Sequence, residues 1–185
     1  MRHSKLTPEV NAGSMADIAF LLLMFFLVSS AIPNDTGFNR KLPKECPPNT
    51  DCSKEISKRN TLNIIINNQD EIMVNDRPTP LSELKNITKD FVDNNGNGTC
   101  GYCKGKRLSI ASEHPKEAIL SLTTGKQTSY TTFIAVQDEL TKAFYELRNT
   151  YAQEILKKDA ENLSSMDMQE LKDVYPFVLS ETSLK

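Results

Sequence analysis

The sequence predicts an α+β protein with a single N-terminal transmembrane helix, an extended linker and one small folded domain. Three observations predict this fold class. Residues 18–28 are all apolar, residues 33–60 are mostly polar and contain several prolines, and the rest mixes β-branched runs with amphipathic helical patterns. A chain of 185 residues leaves room for one ordinary domain after the membrane segment.

The apolar run is long enough to cross a bilayer. Residues 12–32 form a stretch of about twenty residues, the length that a helix needs to cross ~30 Å of hydrocarbon. A cleaved signal peptide is the alternative, because basic residues precede the run and small residues 29–31 follow it. Glu9 and Asp17 argue against a signal peptide, which has no use for acidic residues. We therefore expect a retained helix.

The cysteines predict the orientation of this helix. Basic residues flank the run on both sides, so the positive-inside rule does not decide. Four cysteines, Cys46, Cys52, Cys100 and Cys103, all follow the run, and disulfides form in exported compartments. We expect residues 1–11 in the cytoplasm, the helix in the inner membrane and residues 33–185 in the periplasm.

Composition and motifs exclude several classes of function. The net charge is −2 and no basic run is interleaved with aromatic residues, so nucleic acid is not an expected partner. The sequence lacks the HExxH, GxxxxGK[ST], GxGxxG and GxSxG motifs. We therefore expect no enzyme activity, no cofactor and no metal site.

Asp17 lies near the start of the apolar run. A charged aspartate at the centre of a spanning helix costs about 2.5–3.5 kcal/mol, and less near an interface. Uptake of a proton removes the charge, so this carboxyl is a candidate proton carrier. The alternative is a residue that caps the helix or lies among lipid headgroups without a further role.

The residues around Asp17 resemble the N-terminal signature of the ExbD/TolR family of ion-driven motor subunits. The signature is Glu9-Val10-Asn11, a short interval, Met15-Ala16-Asp17 and then the apolar run. The resemblance places Asp17 at the family's proton-carrying position and implies helix packing at Glu9, Asn11 and Ser14. Gly13-Ser14 stands where the family usually has Thr-Pro, and these small residues still allow close packing.

The resemblance implies a force-transmitting subunit. Its helix and that of a second copy would lie inside a pentamer of an ExbB/TolQ-like polytopic membrane protein, as a homodimer driven by the proton-motive force. The periplasmic domain would act on a TonB-like protein that opens outer-membrane transporters. Two alternatives stay open, namely TolR-like coupling to the cell envelope and peptidoglycan, and a secreted, disulfide-bearing binding domain with a cleaved signal peptide.

The exported part carries its own helix and strand patterns. The turn cluster at residues 67–70 joins two strands into a hairpin, and Thr79-Pro80 predicts an N-cap and a first helical residue. Strands are predicted at 61–66, 71–74 and 118–123, and helices from 80 to about 92 and from 130 to 151. The resemblance, which covers residues 5 to about 150, implies that both helices pack on one face of the sheet.

Two segments of the exported part depart from the family pattern. The first is a loop insertion at residues 93–116 within the domain at 61–151. The second is the C-terminal extension at residues 152–185, with a short helix at 166–174 and a candidate last strand at 177–179.

The insertion contains two motifs that could carry chemistry. Residues 93–98, DNNGNG, resemble a calcium loop but lack its closing glutamate. Cys100 and Cys103 could form a redox pair, or a zinc site with Cys46 and Cys52. We favour disulfides that staple loops, because the exported compartment is oxidising, and we leave their pairing open.

Overall fold

The computed structural model describes residues 12–29 and 57–183. The chain divides into two compact units between residues 39 and 40. The first unit contains helix α1, Ala12–Ser29, and the described part of the second contains a five-stranded sheet with three α-helices. The predicted α+β fold class with one N-terminal apolar helix is confirmed.

Helix α1 is apolar on every side. Its sequence, AGSMADIAFLLLMFFLVS, contains one charged residue, Asp17, and the structure buries none of its side chains. A helix without a polar face is stable in lipid or against other apolar helices. Within the described residues, α1 is the one helix long and apolar enough to cross a membrane.

The second unit has a mixed sheet with strand order β3-β2-β1-β4-β5. Strand β1 pairs with β2 as an antiparallel hairpin and with β4 in parallel, and β5 lies parallel to β4 at the edge. The strands are β1 Thr61–Ile66, β2 Ile72–Val74, β3 Arg77–Pro78, β4 Ile119–Thr124 and β5 Leu179–Ser183. The helices are α2 Leu81–Val92, α3 Tyr130–Tyr151 and α4 Ser165–Val174.

One face of the sheet forms the core. Side chains alternate along a strand, and β1 buries Leu62, Ile64 and Ile66 while the residues between them are at least partly exposed. Helices α2 and α3 contribute to the same buried cluster, so both pack on this face. Each fully buried aliphatic or aromatic side chain stabilises the fold by about 1.5–3 kcal/mol. The implied arrangement of two helices on one face is therefore present.

The start of α2 differs from the prediction. Its first residue is Leu81, and Pro80 stands at the N-cap position without a side-chain capping bond. The Thr79 hydroxyl donates instead to the carbonyl oxygen of Arg77 at 3.0 Å. Arg77 belongs to β3, a two-residue strand that the sequence pattern missed because it is too short to show a period.

The last strand also differs from the prediction. It begins at Leu179, the end of the predicted range, and continues to Ser183. Phe177 packs against the core, with its ring centroid 4.8 Å from that of Phe144. The predicted short helix is α4, which starts at Ser165 after a capping box formed by Ser164 and Asp167.

Candidate functional site

Asp17 lies in the second turn of α1. Ser14 precedes it by three residues and Gly13 by four, so both small residues lie on its face of the helix. Leu21 follows on the same face one turn later. Glu9 and Asn11, the other two predicted packing residues, lie outside the described residues.

Small and apolar residues surround Asp17 on α1. Gly13 and Ser14 let a neighbouring backbone approach closely, as small residues do in membrane helix interfaces. The other faces of α1 carry apolar side chains. Because α1 has no other ionisable side chain, any change of charge within this helix is confined to Asp17.

The insertion is closed by a disulfide between Cys100 and Cys103. Their Cα atoms are 5.6 Å apart, within the usual range for such a bond, and Cys100 is buried. In this state the two sulfur atoms are bonded to each other, and they do not act as zinc ligands. Cys46 and Cys52 lie outside the described residues.

The asparagines of the insertion bind backbone atoms. The Asn94 amide nitrogen donates to the carbonyl oxygens of Leu108 and Ser112, both at 2.9 Å. Asn95 both donates to and accepts from the backbone of Cys100, at 3.0 Å in each case. These amides therefore fold the loop onto itself.

Three tyrosines, which we call the tyrosine cluster, join the insertion to the C-terminal extension. They are Tyr102, Tyr151 and Tyr175, and the ring of Tyr102 lies edge-on to the other two at centroid distances of 5.3 and 5.5 Å. The Tyr102 hydroxyl donates to the carbonyl oxygen of Val174 at 3.1 Å. Such aromatic pairs are each worth about 0.5–1.5 kcal/mol beyond burial.

A partly buried carboxylate anchors the tyrosine cluster. Asp93 accepts from the Tyr175 hydroxyl at 2.8 Å and from the Lys104 backbone N–H at 3.0 Å. Burial raises the pKa of Asp93, although these two hydrogen bonds act in the opposite direction. Burial, with Tyr151 and Asp93 nearby, raises the pKa of Tyr102 to about 12. Burial and then Asp93 also raise the pKa of Tyr175, so both hydroxyls stay protonated and donate.

The tyrosine cluster has a structural role. The cavity beside it measures about 30 Å³, which holds a water molecule or two and no larger ligand. Arg148 strengthens the same junction by donating twice to the carbonyl oxygen of Tyr175, at 3.1 and 2.6 Å. The sequence pattern did not predict this junction, because Tyr102 and Tyr175 lie far apart in the chain.

Comparison with known proteins supplies the family. The family described as biopolymer transport protein ExbD/TolR matches residues 3–149. This range includes α1 with Asp17 and the domain up to the last turn of α3, and it ends before the C-terminal extension. A search of curated proteins found no match to the chain. Since the family match covers most of the 185 residues, this chain belongs to the ExbD/TolR family.

Proposed function

We propose that this chain is the proton-carrying subunit of an ExbB–ExbD type motor in the inner membrane, and that it powers TonB-dependent outer-membrane transport. Members of its family are energy-transducing, non-enzymatic subunits of biopolymer transport that work with ExbB/TolQ-type partners. The observation that carries the proposal is Asp17, the one ionisable side chain in an otherwise apolar helix of 18 residues. An acidic side chain in a membrane-spanning helix raises the free energy of insertion, and such residues mark functional sites.

In the proposed mechanism, two copies of α1 lie inside a pentamer of the ExbB-like partner. Residues 1–11 are cytoplasmic and the second unit is periplasmic. Asp17 takes up a proton from the periplasmic side, becomes neutral, moves past polar groups of the partner and releases the proton inward. One charge that crosses 100 mV releases about 2.3 kcal/mol, so a few protons supply useful work. The periplasmic domain passes this work to a TonB-like protein.

The test is uptake of a receptor-dependent substrate by cells that carry Asp17→Asn at the wild-type protein level. Asparagine keeps the size and hydrogen bonding of aspartate but does not ionise, so we expect uptake to be abolished. Asp17→Glu ionises but is longer by one methylene, and we expect little or no activity. Near-normal uptake together with an intact outer-membrane barrier in Asp17→Asn would refute the proton-carrier role, since asparagine caps a helix nearly as well as aspartate.

A matched control makes the same chemical change outside the membrane. Asp76→Asn alters an exposed turn residue with a positive φ of 64°, a conformation that asparagine tolerates. We expect this variant to transport normally.

If Asp17→Asn damages the outer-membrane barrier and leaves uptake intact, the chain serves Tol-type coupling instead. Recovery of a soluble protein that begins at Ile32 would show a cleaved signal peptide and refute the proposal.

A further inference from the structure

The insertion presents an exposed loop of mixed basic and apolar character, which we call the docking loop. It consists of Lys106, Arg107, Leu108, Ser109 and Ile110, and all five are exposed. Leu108 is 47% exposed and Ile110 is 77% exposed. Two large apolar side chains beside two cations on one short loop differ from the scattered single apolar residues of an ordinary surface.

Hydrogen bonds from buried Asn94 fix the backbone of the docking loop. Asn94, which is 0% exposed, donates to the Leu108 carbonyl oxygen at 2.9 Å and accepts from the Leu108 N–H at 2.7 Å. The Arg107 N–H donates to the Asn94 carbonyl oxygen at 3.0 Å, and Arg107 has a φ of +57°. Positive φ is uncommon outside glycine and persists only where the surroundings enforce it. The loop therefore loses little conformational entropy on binding.

The charges of the docking loop are available to a partner. Among the described residues, Lys106 and Arg107 form no ion pair, whereas the nearby Lys104 pairs with Glu154. Arg59, whose guanidinium donates to the Leu108 carbonyl oxygen, pairs with Glu113 at 3.1 Å. The loop thus offers two unpaired positive charges beside apolar side chains. This combination fits an anionic lipid surface, where basic residues meet headgroups and apolar residues enter the acyl boundary.

The connection to α1 limits the distance between the docking loop and a bilayer that α1 spans. Residues 30–56 separate α1 from the described part of the second unit, and even fully extended they span no more than about 95 Å. Such a connection gives a high effective concentration, so a weak contact suffices. We propose that the docking loop binds the anionic surface of the bilayer that α1 spans. The proposal needs α1 to lie in a membrane, but it does not depend on the role of Asp17.

The test places a fluorophore on the docking loop of the full chain in lipid nanodiscs. The protein contains no tryptophan, so Ile110→Trp introduces a single reporter. In discs of phosphatidylcholine with brominated phosphatidylglycerol, we expect a blue shift and quenching of this tryptophan. Lys106→Gln and Arg107→Gln in the same background should each weaken docking about fivefold. Raised salt should weaken it as well.

A matched reporter distinguishes docking from mere proximity. Tyr145 on α3 is 64% exposed, and Tyr145→Trp should remain unquenched in the same discs. Equal quenching of the two reporters, or no quenching of Ile110→Trp in anionic discs, would overturn the proposal. An emission shift of Ile110→Trp that appears only on addition of polyglutamate would also overturn it, because the loop would then recognise an acidic protein. These fluorescence outcomes do not depend on whether Asp17→Asn abolishes transport. The docking proposal and the proposed function can therefore fail separately.

Discussion

Tyr175 ties the C-terminal extension to the rest of the domain, and Tyr175→Phe removes only its hydroxyl group. The ring is 3% exposed and would keep its contacts with Tyr102. The lost hydrogen bond, 2.8 Å to Asp93, has a carboxylate as its acceptor. Hydrogen bonds to charged groups contribute about 1.5–3 kcal/mol, so we expect the free energy of unfolding at neutral pH to fall by that amount.

The loss should depend on pH in a defined direction. Burial raises the pKa of Asp93 above its ordinary value of 3.8, so the folded state binds the proton more tightly than the unfolded state. The stabilising contribution of this proton is complete below pH 3.8 and is lost as the pH rises through the folded-state pKa. Tyr175→Phe removes one of the contacts that lower this pKa, so it raises the pKa further. The destabilisation should therefore be largest near pH 7 and shrink as the pH falls toward 4.

The measurement is urea unfolding of the full chain in detergent at several pH values, followed by circular dichroism. Tyr102→Phe is one control, because it loses a bond to the neutral Val174 carbonyl, worth about 0.5–1.5 kcal/mol, with no pH dependence in this range. Tyr145→Phe, on the exposed side of α3, should change stability by less than about 0.5 kcal/mol. An equal loss for Tyr175→Phe at pH 4 and pH 7 would refute the assignment of Asp93 as a charged acceptor.

Two further predictions concern the insertion. Gly105→Ala should destabilise the domain by about 1–3 kcal/mol in urea unfolding, because a Cβ atom there would lie 2.3 Å from Asn94 Cα. Gly101→Ala is the matched control and should be neutral, because a Cβ atom there would have no neighbouring atom within 4 Å. The double variant Cys100→Ser, Cys103→Ser should lose about 2 kcal/mol or less, since the disulfide closes a very short loop. It should still support transport, and a folded double variant without uptake would show that the disulfide has a functional role.

Periodic elements of this fold could be predicted from the sequence, because their own residues specify them. Strand β1 alternates and is β-branched, and the apolar face of α3 repeats at the helical period over 22 residues. Strand β5 has no such signal. Its sequence LSETS is mostly exposed, and its place is set by pairing with β4 and by the packing of Phe177 just before it. Tertiary contacts therefore decide its bounds.

The candidate site also has one part that could be predicted from the sequence and one part that could not. Asp17 stands out in the sequence because an acidic residue conflicts with its apolar surroundings, and that conflict is local. The junction at Tyr102 and Tyr175 is invisible by comparison, since it joins residues far apart in the chain. Nothing near Asp93 indicates that a distant tyrosine will donate to its carboxylate. Contacts of this kind follow from the fold, and spacing along the sequence does not encode them.

The described part of the second unit begins beside a central strand of the sheet. The first described residues of the second unit lead directly into β1, a central strand that pairs with β2 on one side and β4 on the other. Six residues of β1 are in parallel register with β4, from Thr61 opposite Ile119 to Ile66 opposite Thr124. The chain therefore enters the domain at an extensively paired strand.

Two residues reinforce this entry point. Arg59 pairs with Glu113 at 3.1 Å, and buried Asn60 accepts from the Glu113 N–H at 2.8 Å and donates to Glu117 at 3.2 Å. The end of the insertion is thus fastened to the chain immediately before β1. The insertion therefore contacts the chain immediately before β1 as well as presenting the docking loop.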